Sequence, residues 1–205
     1  MSKKIFILRH GQTEYNRMGI VQGSGIDASL NDEGRRQAAL FFEKFKSEPF
    51  QKIYVSGLKR TYESVEKFIE LGVPFEKLSD LNEIHWGRKE GQAFTTEENA
   101  YYHQMLDSWK SGRVDYAIDG GESPVDVSVR MRRAMDYIMN DRAETILICM
   151  HGRAMRVLLC VLLNIPLHCM DNFLHSNLCL YELVWTGSMF RLARYNDIEH
   201  LMDRG

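Results

Sequence analysis

The chain is predicted to adopt an α/β fold with a mainly parallel sheet and helices on both faces. Three observations predict it. Short, predominantly apolar runs recur at residues 5–8, 52–55 and 145–149, without the polar alternation of a half-exposed strand, as strands buried on both faces require. Between them lie longer stretches whose apolar residues repeat at helical spacing. The alternation of the two kinds along one chain implies crossovers between parallel strands.

The elements follow in order. Ile5-Phe6-Ile7-Leu8 is the first strand, and residues 11–31, rich in glycine and asparagine, read as a long loop. Asn31 or Asp32 can cap a helix running to about Lys46, with Ala38, Phe41, Phe42 and Phe45 on one face. Lys52–Val55 is the second strand. Ser56 is expected to cap a helix carrying Leu58, Tyr62, Val65 and Ile69, which Gly72 and Pro74 stop. Residues 91–123 are polar and aromatic and read as partial helix and loop. Ser123-Pro124 opens another helix, with the serine as cap and the proline in its first turn. Thr145–Cys149 is a buried strand, and residues 153–163, apolar nearly all round, form a buried helix. Leu178–Val184 and Met189–Ala193 read as a hairpin across Thr186-Gly187-Ser188, an antiparallel edge that makes the sheet mixed.

A chain of 205 residues fits one domain and can bury a core without disulfides or a structural metal. Its 26 basic and 28 acidic residues leave a formal charge of −2, which argues against a nucleic-acid partner but not against an anionic substrate. Cys149, Cys160, Cys169 and Cys179 form no C-x-x-C pair and read as reduced thiols. The N-terminal segment lacks a signal-peptide core. The longest apolar run, Val157 to Leu163, is far below the ~20 residues that span a bilayer. A cytoplasmic protein with no membrane partner is the expectation, and the apolar C-terminal strands could support a homodimer.

Two segments share one layout: Ile7-Leu8-Arg9-His10-Gly11 and Ile148-Cys149-Met150-His151-Gly152. Each delivers a histidine at the carboxyl end of a buried strand, where open α/β sheets bind ligands. Arg60 follows the second strand in the first turn of a helix, where it opposes the dipole unless it faces an anion. Arg9 directly follows four apolar strand residues and needs an anionic partner. Two arginines and two histidines around one point fit a phosphate clamp. A neutral imidazole can be the nucleophile, the other histidine can stabilise the phosphoryl oxygens, and a carboxylic acid can protonate the leaving group. Spacing leaves Glu14, Glu83, Glu90 and Glu122 open for that last role.

Leu8-Arg9-His10-Gly11-Gln12-Thr13-Glu14-Tyr15-Asn16 resembles the L-R-H-G-x-T-x-x-N signature of the histidine phosphatase superfamily, phosphoglycerate mutase-like branch. Gln22-Gly23, Asp27 and Leu30, then Ser56-x-Leu58-x-Arg60, then Glu83-Ile84-His85-Trp86-Gly87 with Glu90-Gly91, and His151-Gly152 match further segments in family order. The resemblance implies a three-layer α/β/α sandwich over residues 1–205, with about 91–123 as a lid or insertion over the site. It implies that His10 is phosphorylated transiently, that Arg9, Arg60 and His151 hold the phosphate, and that Glu83 donates the proton. Asn16, Gln22, Gly23 and Gly152 would bind substrate. No metal or cofactor is implied, and His85, His103, His168, His175 and His200 lack ligand spacing and read as structural or exposed.

The family holds both phosphatases and mutases. In the mutases an arginine follows the donor glutamate and helps to hold the substrate carboxylate, and the middle insertion carries an adjacent arginine pair. Here Ile84 follows Glu83, residues 91–129 contain only Arg113, and Arg35-Arg36 and Arg132-Arg133 read as solvated helix faces. A metal-independent, acid-type phosphatase of a small phosphomonoester is therefore expected. The alternatives are a phosphoglycerate mutase and, behind it, a protein phosphatase or phospho-ligand binding module. Sugar phosphates, nucleotides, phosphoglycerate and alpha-ribazole phosphate all remain open as substrates, and alpha-ribazole phosphatases resemble the chain in length and motif layout.

Overall fold

The computed structural model describes residues 2–92 and 96–202, so positions 93–95 of the expected lid lie outside the described residues. In chain order the elements are β1 (Lys3–Arg9), α1 (Glu14–Met18), α2 (Asp32–Phe45), β2 (Lys52–Val55), α3 (Lys59–Glu63), α4 (Glu66–Glu70) and β3 (Phe75–Lys77). There follow α5 (Thr96–Lys110), α6 (Pro124–Met139), β4 (Thr145–Met150), α7 (Gly152–Leu163), β5 (Leu180–Trp185) and β6 (Phe190–Asp197).

The six strands form one sheet in the order β3-β2-β4-β1-β5-β6. β3, β2, β4 and β1 pair in parallel, and β5 runs antiparallel to both β1 and β6. Alternate residues of the central strands serve opposite faces. Ile5, Ile7, Ile146 and Ile148 join the core that α6 and α7 cover, with Met131, Met135, Val157 and Leu158. Phe6, Leu8, Leu147 and Cys149 join a second core with Phe41, Phe45 and Phe68 from α2 and α4. This is the α/β architecture expected, with a mixed, mostly parallel sheet flanked by helices.

The chain leaves β1 toward β2 over one face and leaves β4 toward β5 over the other. The crevice between the carboxyl ends of β1 and β4 is thus a topological switch point. Arg9 pairs with Met150 in the ladder, so His10 and His151 leave the sheet side by side.

Caps set several boundaries as expected. Asn31 accepts the Gly34 N–H at the start of α2, and Ser123 and Asp126 form a reciprocal capping box at α6. Other expectations are corrected. The loop at 11–31 contains α1, which Thr13 and Asn16 cap reciprocally but which is too short to show a period. Ser56 does not cap a helix: its Oγ accepts the Leu58 N–H (3.1 Å), and α3 begins only at Lys59. The helix expected there is broken in two. Ser64 Oγ donates back to the Arg60 carbonyl (2.6 Å) and accepts the Gly11 N–H (2.9 Å), a pattern that bends helices. β3 went unread because Phe75-Glu76-Lys77 is short, half polar and lies on the sheet edge. Among the described residues no helix is long and apolar enough to cross a membrane.

Candidate active site

Four of the five side chains expected to do the chemistry come from the carboxyl ends of β1, β2 and β4 or the turns just after them. His10 and His151 stand with ring centroids 5.2 Å apart, and both are buried. The matched strand–His–Gly segments therefore converge.

The His10 Nδ1 lies 2.7 Å from the Gly11 carbonyl, which can only accept. Nδ1 therefore carries the proton, and Nε2 keeps its lone pair with no hydrogen bond to the described residues. Burial, then Arg60 and Arg9, hold the His10 pKa well below its ordinary value. The ring is neutral at pH 7, as a nucleophile must be.

His151 is wired differently. Its Nδ1 accepts from Arg60 Nε (3.2 Å), so Nε2 carries the proton and donates to Ser56 Oγ (2.8 Å). Burial, then Arg60 and His10, hold this ring well below its ordinary pKa too.

Arg60 is wholly buried. Beyond His151, it donates to the Ile26 carbonyl (2.6 Å) and the Gly23 carbonyl (3.1 Å) and pairs with no carboxylate among the described residues. Burial lowers its pKa to about 10, although Glu83, Asp27 and Glu90 pull it back up. Arg9 donates through Nη1 to His175 Nδ1 (3.0 Å), and its buried Nε has no partner. Gln22 is similar: its Oε1 accepts from Thr13 Oγ1 (2.7 Å), while its buried Nε2 is unpartnered. Two under-neutralised guanidiniums and two orphaned N–H donors make an anion-binding centre.

The four candidate carboxylates separate. Glu14 is exposed and pairs with Arg17, and Glu122 pairs with Arg130. Glu90 accepts the Trp86 N–H and lies so close to the Gly23 backbone that any side chain there would collide with it. Glu83 is buried, and its carboxylate accepts the N–H groups of Ile84 (2.9 Å), Ala154 (2.8 Å) and Arg153 (3.1 Å). It therefore sits on the first turn of α7, one residue beyond the His151-Gly152 pair. Arg130 holds its loop from behind, donating to the carbonyls of Asp80, Asn82 and Glu83 and to Glu122. Ile84 is wholly buried in the core, so the position where mutases carry an arginine faces away from solvent.

Asn16 Oδ1 accepts from Thr13 N and from Asn177 Nδ2 (3.1 Å), which turns its own NH2 group away from both. Asn177 also donates to the His10 carbonyl (3.1 Å). The next residue, Leu178, holds a left-handed φ of 56° and donates its N–H to the Arg9 carbonyl (3.2 Å). Residues 175–177 were missed in the sequence because they form an irregular turn with no periodicity, and Leu178, read there as the first residue of a strand, belongs to that turn, with β5 beginning at Leu180. In particular His175, read there as structural or exposed, lies against Arg9 and Gly152. Within the expected lid, Trp109 is buried against Trp86 (5.9 Å between rings), with Arg153 over its face (5.3 Å), which is packing rather than a pocket wall. Among the described residues no group of three His, Cys, Asp or Glu side chains is placed to hold a metal ion.

A model of the histidine phosphatase superfamily (branch 1) matches residues 5–198. A putative phosphoserine phosphatase 2 of Hydrogenobacter thermophilus is 28% identical over 199 residues, covering 97% of each chain. A probable phosphoglycerate mutase of Yersinia enterocolitica is 30% identical over 209 residues, covering 97% of this chain and 94% of the relative. Among solved structures, a mycobacterial glucosyl-3-phosphoglycerate phosphatase superposes with a TM-score of 0.84 at 25% identity, over 97% of this chain and 100% of the other.

Proposed function

The chain belongs to the histidine phosphatase superfamily, and from that premise we propose that it is a metal-independent phosphomonoester hydrolase working through a phosphohistidine on a small phosphorylated metabolite. The observation that carries this is the His10 ring: neutral, with Nδ1 tied to the Gly11 carbonyl and, among the described residues, with no partner on Nε2 and no carboxylate paired with either neighbouring guanidinium.

His10 Nε2 attacks phosphorus, the bond to the leaving oxygen breaks, and Glu83 supplies the proton that oxygen needs. Arg9 and Arg60, with the orphaned Gln22 N–H, stabilise the phosphoryl oxygens. Water then attacks the phosphohistidine, its proton passes to Glu83, and phosphate leaves with His10 restored. Beside the Glu83 loop lies a polar cleft of about 360 Å³ lined by Ser24, Asn82, Glu83, His85, Glu122 and Arg130. That lining suits a hydroxyl-rich metabolite.

The named relatives include both phosphatases and a probable mutase. Burial of Ile84, with no arginine at that place to hold a carboxylate, favours hydrolysis. Phosphate release from a panel of phosphomonoesters, in chelator, tests the reading. Release by the wild type and none by His10→Ala is expected. Undiminished turnover by His10→Ala, loss in chelator, or conversion between phosphoglycerates only with a bisphosphoglycerate primer would overturn it.

A further inference from the structure

Arg9 is the clamp residue with an unexpected neighbour. Its Nη1 donates to His175 Nδ1 at 3.0 Å, so that ring nitrogen is the acceptor and the proton resides on Nε2. Arg9 Nε is buried without a partner. Nε and Nη2 form the side edge of a guanidinium, a fork that matches two oxygens of a phosphoryl group, and neither makes a hydrogen bond to the described residues.

Gly152 completes the arrangement. A Cβ there would lie 3.1 Å from His175 Cε1 and 3.3 Å from Arg9 Nε, so the two side chains close together over a glycine. Asp171, which lies between the arginines of α7, is engaged by Arg153 (2.5 Å) and Arg156 (2.7 Å) and not by Arg9. The neighbours of His175 are cationic. Burial, followed by Arg9, Arg156 and Arg153, lowers its pKa to about 2, so the ring stays neutral.

We propose that His175 is a positioning residue for Arg9: a neutral acceptor that fixes one end of the guanidinium, turns its Nε–Nη2 edge toward the phosphoryl group and leaves its full charge for the substrate. A carboxylate in this place would hold Arg9 equally well but would neutralise it. The inference deepens the phosphatase reading and rests on it for the turnover measurements, whereas its binding arm does not.

Three variants test it: His175→Phe removes the acceptor and keeps the bulk, His175→Asn restores a neutral acceptor, and His175→Asp supplies a charged one. For each, kcat and KM for one phosphomonoester, the affinity for orthovanadate by calorimetry, and thermal stability would be measured. His175→Phe should lose ~10–100-fold in kcat/KM, through both kcat and KM, and lose vanadate affinity in parallel. His175→Asn should recover to within about threefold of wild type. His175→Asp should bind vanadate more weakly than His175→Asn while being at least as stable. A His175→Phe variant equal to wild type, or a His175→Asp variant that binds vanadate as well as His175→Asn, overturns the proposal and leaves the phosphatase reading standing. A wild type that binds vanadate but hydrolyses no ester overturns the phosphatase reading, and the vanadate series still decides the role of His175. A wild type that does neither overturns both.

Discussion

The carboxyl ends of β1 and β4 look like copies of one another: adjacent parallel strands, each ending in a histidine followed by a glycine. Their hydrogen bonds differ. Among the described residues, the ring at the end of β1 makes a hydrogen bond through one nitrogen, donated to the carbonyl of the next residue, and none through the other. The ring at the end of β4 is held at both nitrogens, between a guanidinium and a serine hydroxyl. The first arrangement leaves a lone pair to react; the second fixes a ring beside a charge. Sequence symmetry brings both rings together, but only the second partner of each ring separates attacker from holder in the proposed reaction.

The largest expected effect that tests this difference is on His151. His151→Ala should lower kcat by on the order of 10²–10³, the scale of losing one positioned group at a developing charge. Alkaline quenching, which spares the acid-labile phosphohistidine, followed by peptide mapping should still find the phosphoryl group on His10. Label found on residue 151 in the wild type would break the comparison.

Next in size is an effect of pH on stability. His10, His151 and His175 all have depressed native pKa values, and burial is the first cause in each. Below about pH 6.5 the unfolded chain takes up protons that the folded chain refuses. Stability present above that pH should fall as pH drops, by up to ~1.4 kcal/mol per unit for each histidine. For His175 the loss continues down to about pH 2. Chemical denaturation at a series of pH values checks this, and His175→Asn should flatten the slope by one histidine's share. Stability unchanged from pH 7 to 5 would mean that the rings charge freely in the native state.

The smallest effect sharpens the holder's role. Ser56→Ala removes the acceptor for the His151 Nε2–H and for the Leu58 N–H. It should cost ~1–3 kcal/mol of stability and reduce kcat only a few-fold, since Arg60 still grips Nδ1. Denaturant titration and steady-state kinetics read the two numbers.

What was legible in the sequence follows from burial. β1, β2 and β4 are buried on both faces, so their residues must be apolar and the runs are visible. β3 is an edge strand of three residues, two of them charged, and carries no such constraint. At the site, Arg9, His10, Arg60 and His151 were readable because each charged or polar group directly adjoins a buried strand or its turn. Glu83 could not be told from Glu14, Glu90 and Glu122 by spacing, because its place on α7 depends on a contact across about 70 residues of chain. His175 and Asn177 were hidden for a related reason. They act through a turn whose shape rests on the positive φ of Leu178, a conformation that a leucine does not advertise.

The position of β1 in the sheet has a consequence for synthesis. Its neighbours are β4 and β5, so Ile5 waits for Ile146 on one side and Leu183 on the other. At roughly 5–20 residues per second, a ribosome leaves the N-terminal apolar strand without its lasting partners for ~10–40 s. During that interval the nascent chain already carries Arg9 and His10 but has neither His151 nor the floor of the pocket. Such a chain lacks the strand pairing that brings His10 and His151 together. The paired histidines therefore come together only after β4 has joined β1, most of the way along the chain.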